Sequence, residues 1–452
     1  MIELLRRAAL VDDPRPGVIT NDREVGYPQL VANSHAVAAA LLARGVRRFG
    51  IVDGDAANVV ALLGGASLAG AETCVYPPVE TADEVRGLTE RFDHDLLVTD
   101  RVDLGEVVPV VRAAELVEDV GGDIPDTPPD VRPLLVFTTG TTGFPRAVRQ
   151  DWSRVLRPFL GLRAAPGERW LLAYGLHQFG GLQLLLHVLG AGATIVAPIP
   201  RRPREGLTAM RRFGVQHASA TPTFWRFVLA ELRSDGREVP PLRQITLGGE
   251  AVQSRLLDEL AAVFPDARIS QIYGANESGN LRSVRDNRNG LPVSALTEDP
   301  EADVALKIVD GELWVRSRIG MLGYYGEPPI EPDAWRATGD LVEIVGDRVM
   351  FRGRATEIIN VGGVKVHPLP IEERISSLPG VQLVRVFGRP NTLAGAIVAV
   401  EIVPEPGADT AALDTAVRAA CADLTPAARP RSIKFVDTVQ TTGNKMARGQ
   451  QR

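Results

Sequence analysis

Lysine and cysteine are scarce in this chain. Of its 452 residues 50 are basic, yet only Lys307, Lys365, Lys434 and Lys445 are lysine, and arginine fills every other basic position. The two cysteines, Cys74 and Cys421, lie far apart with no CxxC or Cys/His spacing. That excludes a disulfide framework, a structural zinc and a thiol nucleophile, and it fits a reducing cytoplasm. The net charge of −6 comes from interspersed acids and bases without a basic stripe, so nucleic acid is not an expected partner. The opening MIELLRRAALVDD lacks the apolar stretch of a signal peptide. The most apolar run, 182–200, carries His187 and Gly190-Ala191-Gly192. It reads as buried helix, turn and strand, and no membrane partner is expected.

The length allows one large core and a smaller one. From Tyr27 onward, helical and strand-like segments alternate: HAVAAALLARGV ending at Gly45, FGIVDG, NVVALLGGASLAGA, then ETCVYP. This is the pattern of an α/β domain with a largely parallel sheet. The Pro/Asp-rich GGDIPDTPPD reads as a loop before the strand LLVF at 134–137. Between about 300 and 352 short β segments (KIVD, GELWVRS, LVEIV, RVMFR) predict hairpins, and the last hundred residues or so have the content of a small α+β domain.

The segment LLVFTTGTTGFPRAVRQ, 134–150, is the most informative. A buried strand runs into Thr138, Thr139, Gly140, Thr141, Thr142 and Gly143, with Arg146 after Pro145. Glycines let consecutive N–H groups approach a ligand, hydroxyls add donors and arginine adds charge, so phosphate is the natural guest. The glycine spacing is too short for the usual P-loop, and no Lys-Ser/Thr pair follows.

This segment resembles the phosphate loop of the adenylate-forming superfamily, which includes acyl- and aryl-CoA synthetases, adenylation domains of peptide synthetases, and luciferases. Further motifs follow in the family's order: LGGEAV at 247–252, YGANES at 273–278, ATGD at 337–340, FRGRATEIINVGGVKVHP at 351–368 and TTGNKMAR at 441–448. The resemblance implies an α/β fold: a large N-terminal domain, 1–353, of α/β sheets with a β-rich subdomain, and a small mobile α+β C-terminal domain, 354–452. It implies ATP-dependent activation of a carboxylic acid as its adenylate, with pyrophosphate released, then transfer to CoA. An amine or a carrier-protein thiol as acceptor, or a less usual oxyanion as substrate, stays open.

Attack of a carboxylate on an α-phosphate gathers anions, so such a site must neutralise charge rather than supply a covalent nucleophile. By resemblance Glu277 holds Mg²⁺ with Thr141 or Thr142, hard oxygen donors both. Tyr273 offers its ring to adenine, with Gly248, Gly249, Glu250 and Gly274 around the nucleotide. Asp340 accepts from the ribose hydroxyls and Arg354 reaches the ribose and α-phosphate side. Lys445 matches the C-terminal lysine that reaches the carboxylate and α-phosphate, where a compact ammonium bridges two oxygens. Lys307 and Lys434 read as surface charges.

Several positions depart from the family's usual residues. Arg146 stands where lysine is common, Asn276 where threonine is, and Thr356 stands at the hinge where Asp or Lys is typical. Asn276 still offers an amide to adenine or the α-phosphate. Gly362 and Gly363 match the glycines along which a pantetheine arm passes, and Lys365 is placed to contact phosphate or acceptor. LLAYGLHQFGG at 171–181 aligns with the family's histidine motif. His177 either lines the acid pocket or caps a helix. Gln178, Ala275 and Gly248 then point to a short, partly polar pocket for an aryl or small acid.

Overall fold

The structure, a computed structural model, describes residues 1–11, 14–52, 54–78, 81–104, 108–118, 123–138, 146–200, 202–331, 333–439, 441–442 and 445–446. At 280, 281, 441, 442, 445 and 446 the description stops at the backbone. The chain divides into two compact units, one of Met1–Ser219, Gly274–Leu281 and Ser317–Asp333, the other of Ala220–Tyr273, Arg282–Arg316 and Ala334–Arg452.

In the first unit the expected alternation of helix and strand is present. The apolar segment Ala56–Ala69 is helical, capped by Asp55, which accepts from Asn58 N, and ended by Gly70 in the left-handed region (φ 74°). It packs against the helix Tyr27–Ala43. Close approach requires Gly65, because a Cβ there would lie 2.5 Å from Val37 Cγ1. Arg48–Val52, Glu72–Val75, Leu96–Thr99, Val110–Val111 and Pro133–Phe137 are parallel neighbours in one sheet. Phe49, Ile51, Val98, Leu134 and Val136 point from it into a core shared with these helices and with Phe179–Gly190. The run 182–200 is helix, turn and strand, as its sequence predicts.

The parallel pattern ends where the Thr/Gly segment begins. Ala147–Asp151 returns antiparallel to Pro133–Phe137, with Phe137 opposite Ala147. Gly323–Tyr324 then joins its other edge, again antiparallel, with Tyr324 opposite Val148. The sheet is largely parallel, as read from the sequence, and turns antiparallel only at this edge. The physical reason is connection length, since 138–146 is shorter than the dozen or so residues that a parallel crossover needs. A second sheet in this unit places His217–Ala220, Arg169–Leu172, Thr194–Val196, Pro16–Ile19 and Glu24–Gly26 side by side.

The second unit holds the helix Pro222–Asp235 and a parallel pair, Gln244–Gly248 beside Arg268–Ala275, connected through the helix Ser254–Val263. The β segments expected between about 300 and 352 form antiparallel hairpins, Arg336–Val345 paired with Arg348–Arg354 and with Glu312–Ser317. Beyond Arg354 comes the α+β element set read from the sequence: strands Ile359–Val361, Val364–Val366, Val381–Asn391, Gly395–Pro404 and Ser432–Phe435 in one sheet, with the helices Pro368–Ser376 and Thr410–Ala420. Val384, Val386, Val398 and Val400 meet Ile371, Ile375, Leu413 and Val417 in a core of its own.

Candidate active site

The first unit carries the residues around the Thr/Gly segment. The strand Pro133–Phe137 is buried throughout and delivers the chain to Thr138, whose N–H and hydroxyl both donate to Arg146 O, at 2.9 and 3.2 Å. The base of the loop is therefore closed. Thr139, Gly140, Thr141, Thr142 and Gly143 lie outside the described residues. Arg146 lies over the ring of Tyr324, its guanidinium carbon 3.5 Å from the centroid, and pairs with Glu327 at 2.5 Å. The Tyr324 hydroxyl donates to Glu277 Oε1 at 3.2 Å. Partial burial and the Glu277 carboxylate push that phenol up to about 12, so it remains a donor at neutral pH.

The turn carrying Glu277 is braced from below. Asn276 Nδ2 donates to the carbonyls of Val136 at 3.0 Å and Phe137 at 3.4 Å, and the fully buried Gln150 donates to Asn276 O at 2.5 Å and to its Oδ1 at 3.3 Å. The amide that the sequence offered to adenine or phosphate is thus engaged with the loop's own leading strand. Met321 N donates to Glu277 O at 3.1 Å and Ser317 Oγ to Ser278 O at 2.7 Å, so residues 317–327 run alongside the same turn. Gly274 and Ala275 open it, and Ser278 N donates to Ala275 O at 3.1 Å.

His177 sits just ahead of the helix Phe179–Gly190, whose N-cap is Gln178 without a side-chain capping bond. The imidazole does not cap that helix. It borders a small apolar cavity lined by Leu63, Val75, Leu134, Val136, Leu176 and Leu182, and burial lowers its pKa to about 4, so it is neutral near pH 7. Gly175 makes its position possible, since a Cβ there would lie 2.2 Å from His177 Cε1.

The second unit brings together Tyr273, Asp340 and Arg354. Asp340 and Arg354 face each other across the hairpin, brought into register by an irregularity between Leu341 and Val342 that shifts the pairing by one residue. Tyr273 Oη donates to Asp340 Oδ2 at 2.7 Å, and Arg354 Nε pairs with Oδ1 at 3.1 Å. Burial, then the neighbouring Asp340 charge, raises the Tyr273 phenol well above its ordinary value. The Asp340 N–H donates to Thr338 Oγ1 at 3.1 Å, and Gly339 N to Glu312 Oε1 at 2.8 Å, which fixes the ATGD turn. Phe351, which the sequence reading did not single out, lies against the Tyr273 ring at 4.9 Å between centroids. Gly248 ends a buried strand, Gly249 follows with φ 82°, and Glu250 accepts from Thr223 N at 3.0 Å at the start of the helix Pro222–Asp235.

Thr356 is exposed on the single 3₁₀ turn Ala355–Glu357 that links the hairpin to the C-terminal sheet. Gly362 and Gly363 form the tip of the next hairpin, with φ 58° and 88°, and Lys365 is exposed opposite Asn360. The Lys445 backbone pairs with Thr442, and its side chain lies outside the described residues. Lys307 lies over Trp335 at 4.4 Å and pairs with Glu298 at 3.8 Å, while Lys434 is exposed; both are surface charges, as read. Among the described residues no cluster of three or more His, Cys, Asp or Glu could hold a metal, and no helix is long and apolar enough to cross a membrane.

Residues 5–325 match the family of AMP-binding enzymes, and residues 370–445 match the AMP-binding enzyme C-terminal domain. The chain belongs to that family. The adenylate-forming resemblance read from the motifs therefore holds, and this AMP-binding enzyme has relatives named as ligases. A fatty acid–[acyl-carrier-protein] ligase, ScoC of Streptomyces coeruleorubidus, is 28% identical over 448 residues, covering 87% of this chain and 84% of that protein. A 3-[(3aS,4S,7aS)-7a-methyl-1,5-dioxo-octahydro-1H-inden-4-yl]propanoyl:CoA ligase of Mycobacterium tuberculosis is 26% identical, covering 72% and 66%. Among solved structures, the anthranilate CoA ligase AuaEII in complex with anthranoyl-AMP superposes with a TM-score of 0.85 at 21% identity, covering 98% of this chain and 94% of that one, a likeness of fold.

Proposed function

We propose that this AMP-binding enzyme uses ATP to activate an aromatic or small carboxylic acid as its acyl-adenylate, releasing pyrophosphate, and then passes the acyl group to the thiol of CoA. The observation that carries the reading is Arg146 and Glu277 held on one phenol at the base of the Thr/Gly loop. A cation suited to phosphate near a hard carboxylate donor supports that reading.

In the first step a carboxylate oxygen of the acid forms a bond to the α-phosphorus, and the bond to the bridging oxygen of the β-phosphate breaks. Arg146 and the loop that follows Thr138 stabilise the departing pyrophosphate, and Lys445 bridges the attacking carboxylate and the α-phosphate. Glu277, with the hydroxyl of Thr141 that the resemblance assigns to the same ion, is a hard-oxygen donor set that would suit Mg²⁺. Bound there, the ion would neutralise triphosphate charge. Tyr273 and the backbone of Gly248, Gly249 and Gly274 receive adenine, and Asp340 with Arg354 receives the ribose. His177, neutral and set among leucines and valines, lines the acid pocket with Gln178 and Ala275.

The second step joins a thiol sulfur to the acyl carbon, and the bond from that carbon to the AMP oxygen breaks. Residues 354–452 turn about Thr356 between the steps, withdrawing Lys445 and bringing Gly362, Gly363 and Lys365 to the pantetheine arm. A carrier-protein thiol is the second reading, favoured by the relative named as an acyl-carrier-protein ligase. The acceptor is tested by giving the enzyme ATP, Mg²⁺ and benzoate-type or short-chain acids, then CoA, a pantetheinylated carrier protein or an amine. Acyl-CoA is the expected product. AMP release raised by an amine and by neither thiol would contradict the thiol assignment.

A further inference from the structure

Two charged groups of the proposed site meet at a side chain to which neither the motifs nor the reaction scheme gives a role. Tyr324 lies on the short strand Gly323–Tyr324, pinned by Leu322 N to Arg149 O at 2.7 Å and Tyr325 N to Ala147 O at 2.9 Å. The chain then turns through Gly326, with φ 80°, so that Glu327 N donates back to Tyr324 O at 3.0 Å and the Glu327 carboxylate meets Arg146 at 2.5 Å. The phenol is therefore in register with the strand that leaves the phosphate loop. Its face carries the Arg146 guanidinium, 3.5 Å from centroid to guanidinium carbon, and its hydroxyl lies 3.2 Å from Glu277 Oε1.

We propose that Tyr324 is a positioning residue that sets Arg146 and Glu277 relative to each other, so that cation and carboxylate receive one metal–triphosphate unit together. The inference rests on the roles given to Arg146 and Glu277 under the proposed function. Glutamate has a broad terminal torsion, and a hydrogen bond to one oxygen narrows it and aims the carboxylate. A planar guanidinium stacks on an aromatic face, whereas a compact ammonium has no plane to stack. The ring thereby accounts for arginine at 146, where the resembling family commonly has lysine.

The test uses the full chain and two variants, Tyr324→Phe, which keeps the ring and removes the hydroxyl, and Tyr324→Leu, which removes both. Mn²⁺ uptake in the presence of α,β-methylene-ATP is read from the electron paramagnetic resonance signal of unbound Mn²⁺, and metal-free affinity for the analogue is read by calorimetry. Tyr324→Phe is expected to weaken Mn²⁺ uptake about tenfold and to leave metal-free analogue binding unchanged. Tyr324→Leu is expected to weaken both. A Tyr324→Phe protein that takes up Mn²⁺ like the wild type overturns the proposal, and so does one that loses metal-free binding to the same degree as metal uptake. If the wild type takes up no Mn²⁺ with the analogue, the metal reading of Glu277 falls and this proposal falls with it. Should Tyr324→Leu fail to fold, the Phe variant alone decides.

Discussion

Asp340→Ala removes a carboxylate that accepts from Tyr273 Oη at 2.7 Å and pairs with Arg354 Nε at 3.1 Å, and the two losses have separate readouts. The part-buried Tyr273 hydroxyl is deprived of that acceptor, a cost of about 1 kcal/mol in stability. A carboxylate has roughly four lone-pair sites, so in the proposed role it accepts from a ribose diol while keeping Tyr273. Hydrogen bonds to charged groups contribute about 1.5–3 kcal/mol each. Allowing for water that replaces them, the variant should lose about 2–4 kcal/mol of nucleotide binding, roughly 30- to 1,000-fold. Asp340→Asn keeps one acceptor for Tyr273, so it should regain most of the melting temperature while nucleotide binding stays weakened about tenfold. Calorimetry with α,β-methylene-ATP and a thermal melt measure the two effects. Unchanged nucleotide affinity in Asp340→Ala would remove Asp340 from the nucleotide site, and an unchanged melt would refute the structural half of the reasoning.

Lys445→Ala should suppress adenylate formation far more than thioester formation from a preformed adenylate, and equal losses in the two half-reactions would contradict its assignment. Arg146→Lys keeps the charge and forfeits the stack on Tyr324, about 0.5–1 kcal/mol or two- to fivefold in kcat/KM, whereas Arg146→Ala should cost about 100-fold or more. Equal losses in pyrophosphate exchange would rule out that division between charge and stacking. His177 titrates at about 4 in the folded protein against an ordinary value of 6.5. Between those pH values the unfolded chain binds more protons, so stability falls as pH drops through the window, by about 3 kcal/mol for this group. Burial lowers His94 to about 4 as well, so His177→Leu should remove only part of the acid sensitivity in melts from pH 6.5 to 4. An unchanged pH slope in that variant would refute the assignment to His177.

Much of the fold was legible because local pattern and tertiary role agree. Ala56–Ala69 is apolar all round and has Asp55 and Gly70 at its ends, so it reads as a buried helix and is one. Tyr273, Asp340 and Arg354 were each nominated by motif, and strand register brings them together, since Asp340 and Arg354 are direct cross-strand partners. Tyr324 was not legible. It lies in GYYGEPP, a stretch without helical or strand period, and its partners Arg146 and Glu277 come from distant parts of the chain. Asn276 was read as a ligand group because its amide could serve either purpose. Only the arrival of Val136, Phe137 and Gln150 from another strand pair shows where that amide is engaged. The antiparallel return at Ala147–Asp151 follows from a short connection, which a pattern of apolar runs does not weigh.

The central claim is that this AMP-binding enzyme activates an acid by adenylation, and ATP–pyrophosphate exchange tests it most directly. With Mg²⁺ and a panel of aromatic and short-chain acids, labelled pyrophosphate should enter ATP only when a suitable acid is present, without any acceptor, and this incorporation should disappear in Glu277→Ala. Exchange that proceeds at the same rate with no acid, or is absent with every acid while ATP still binds, would contradict the account.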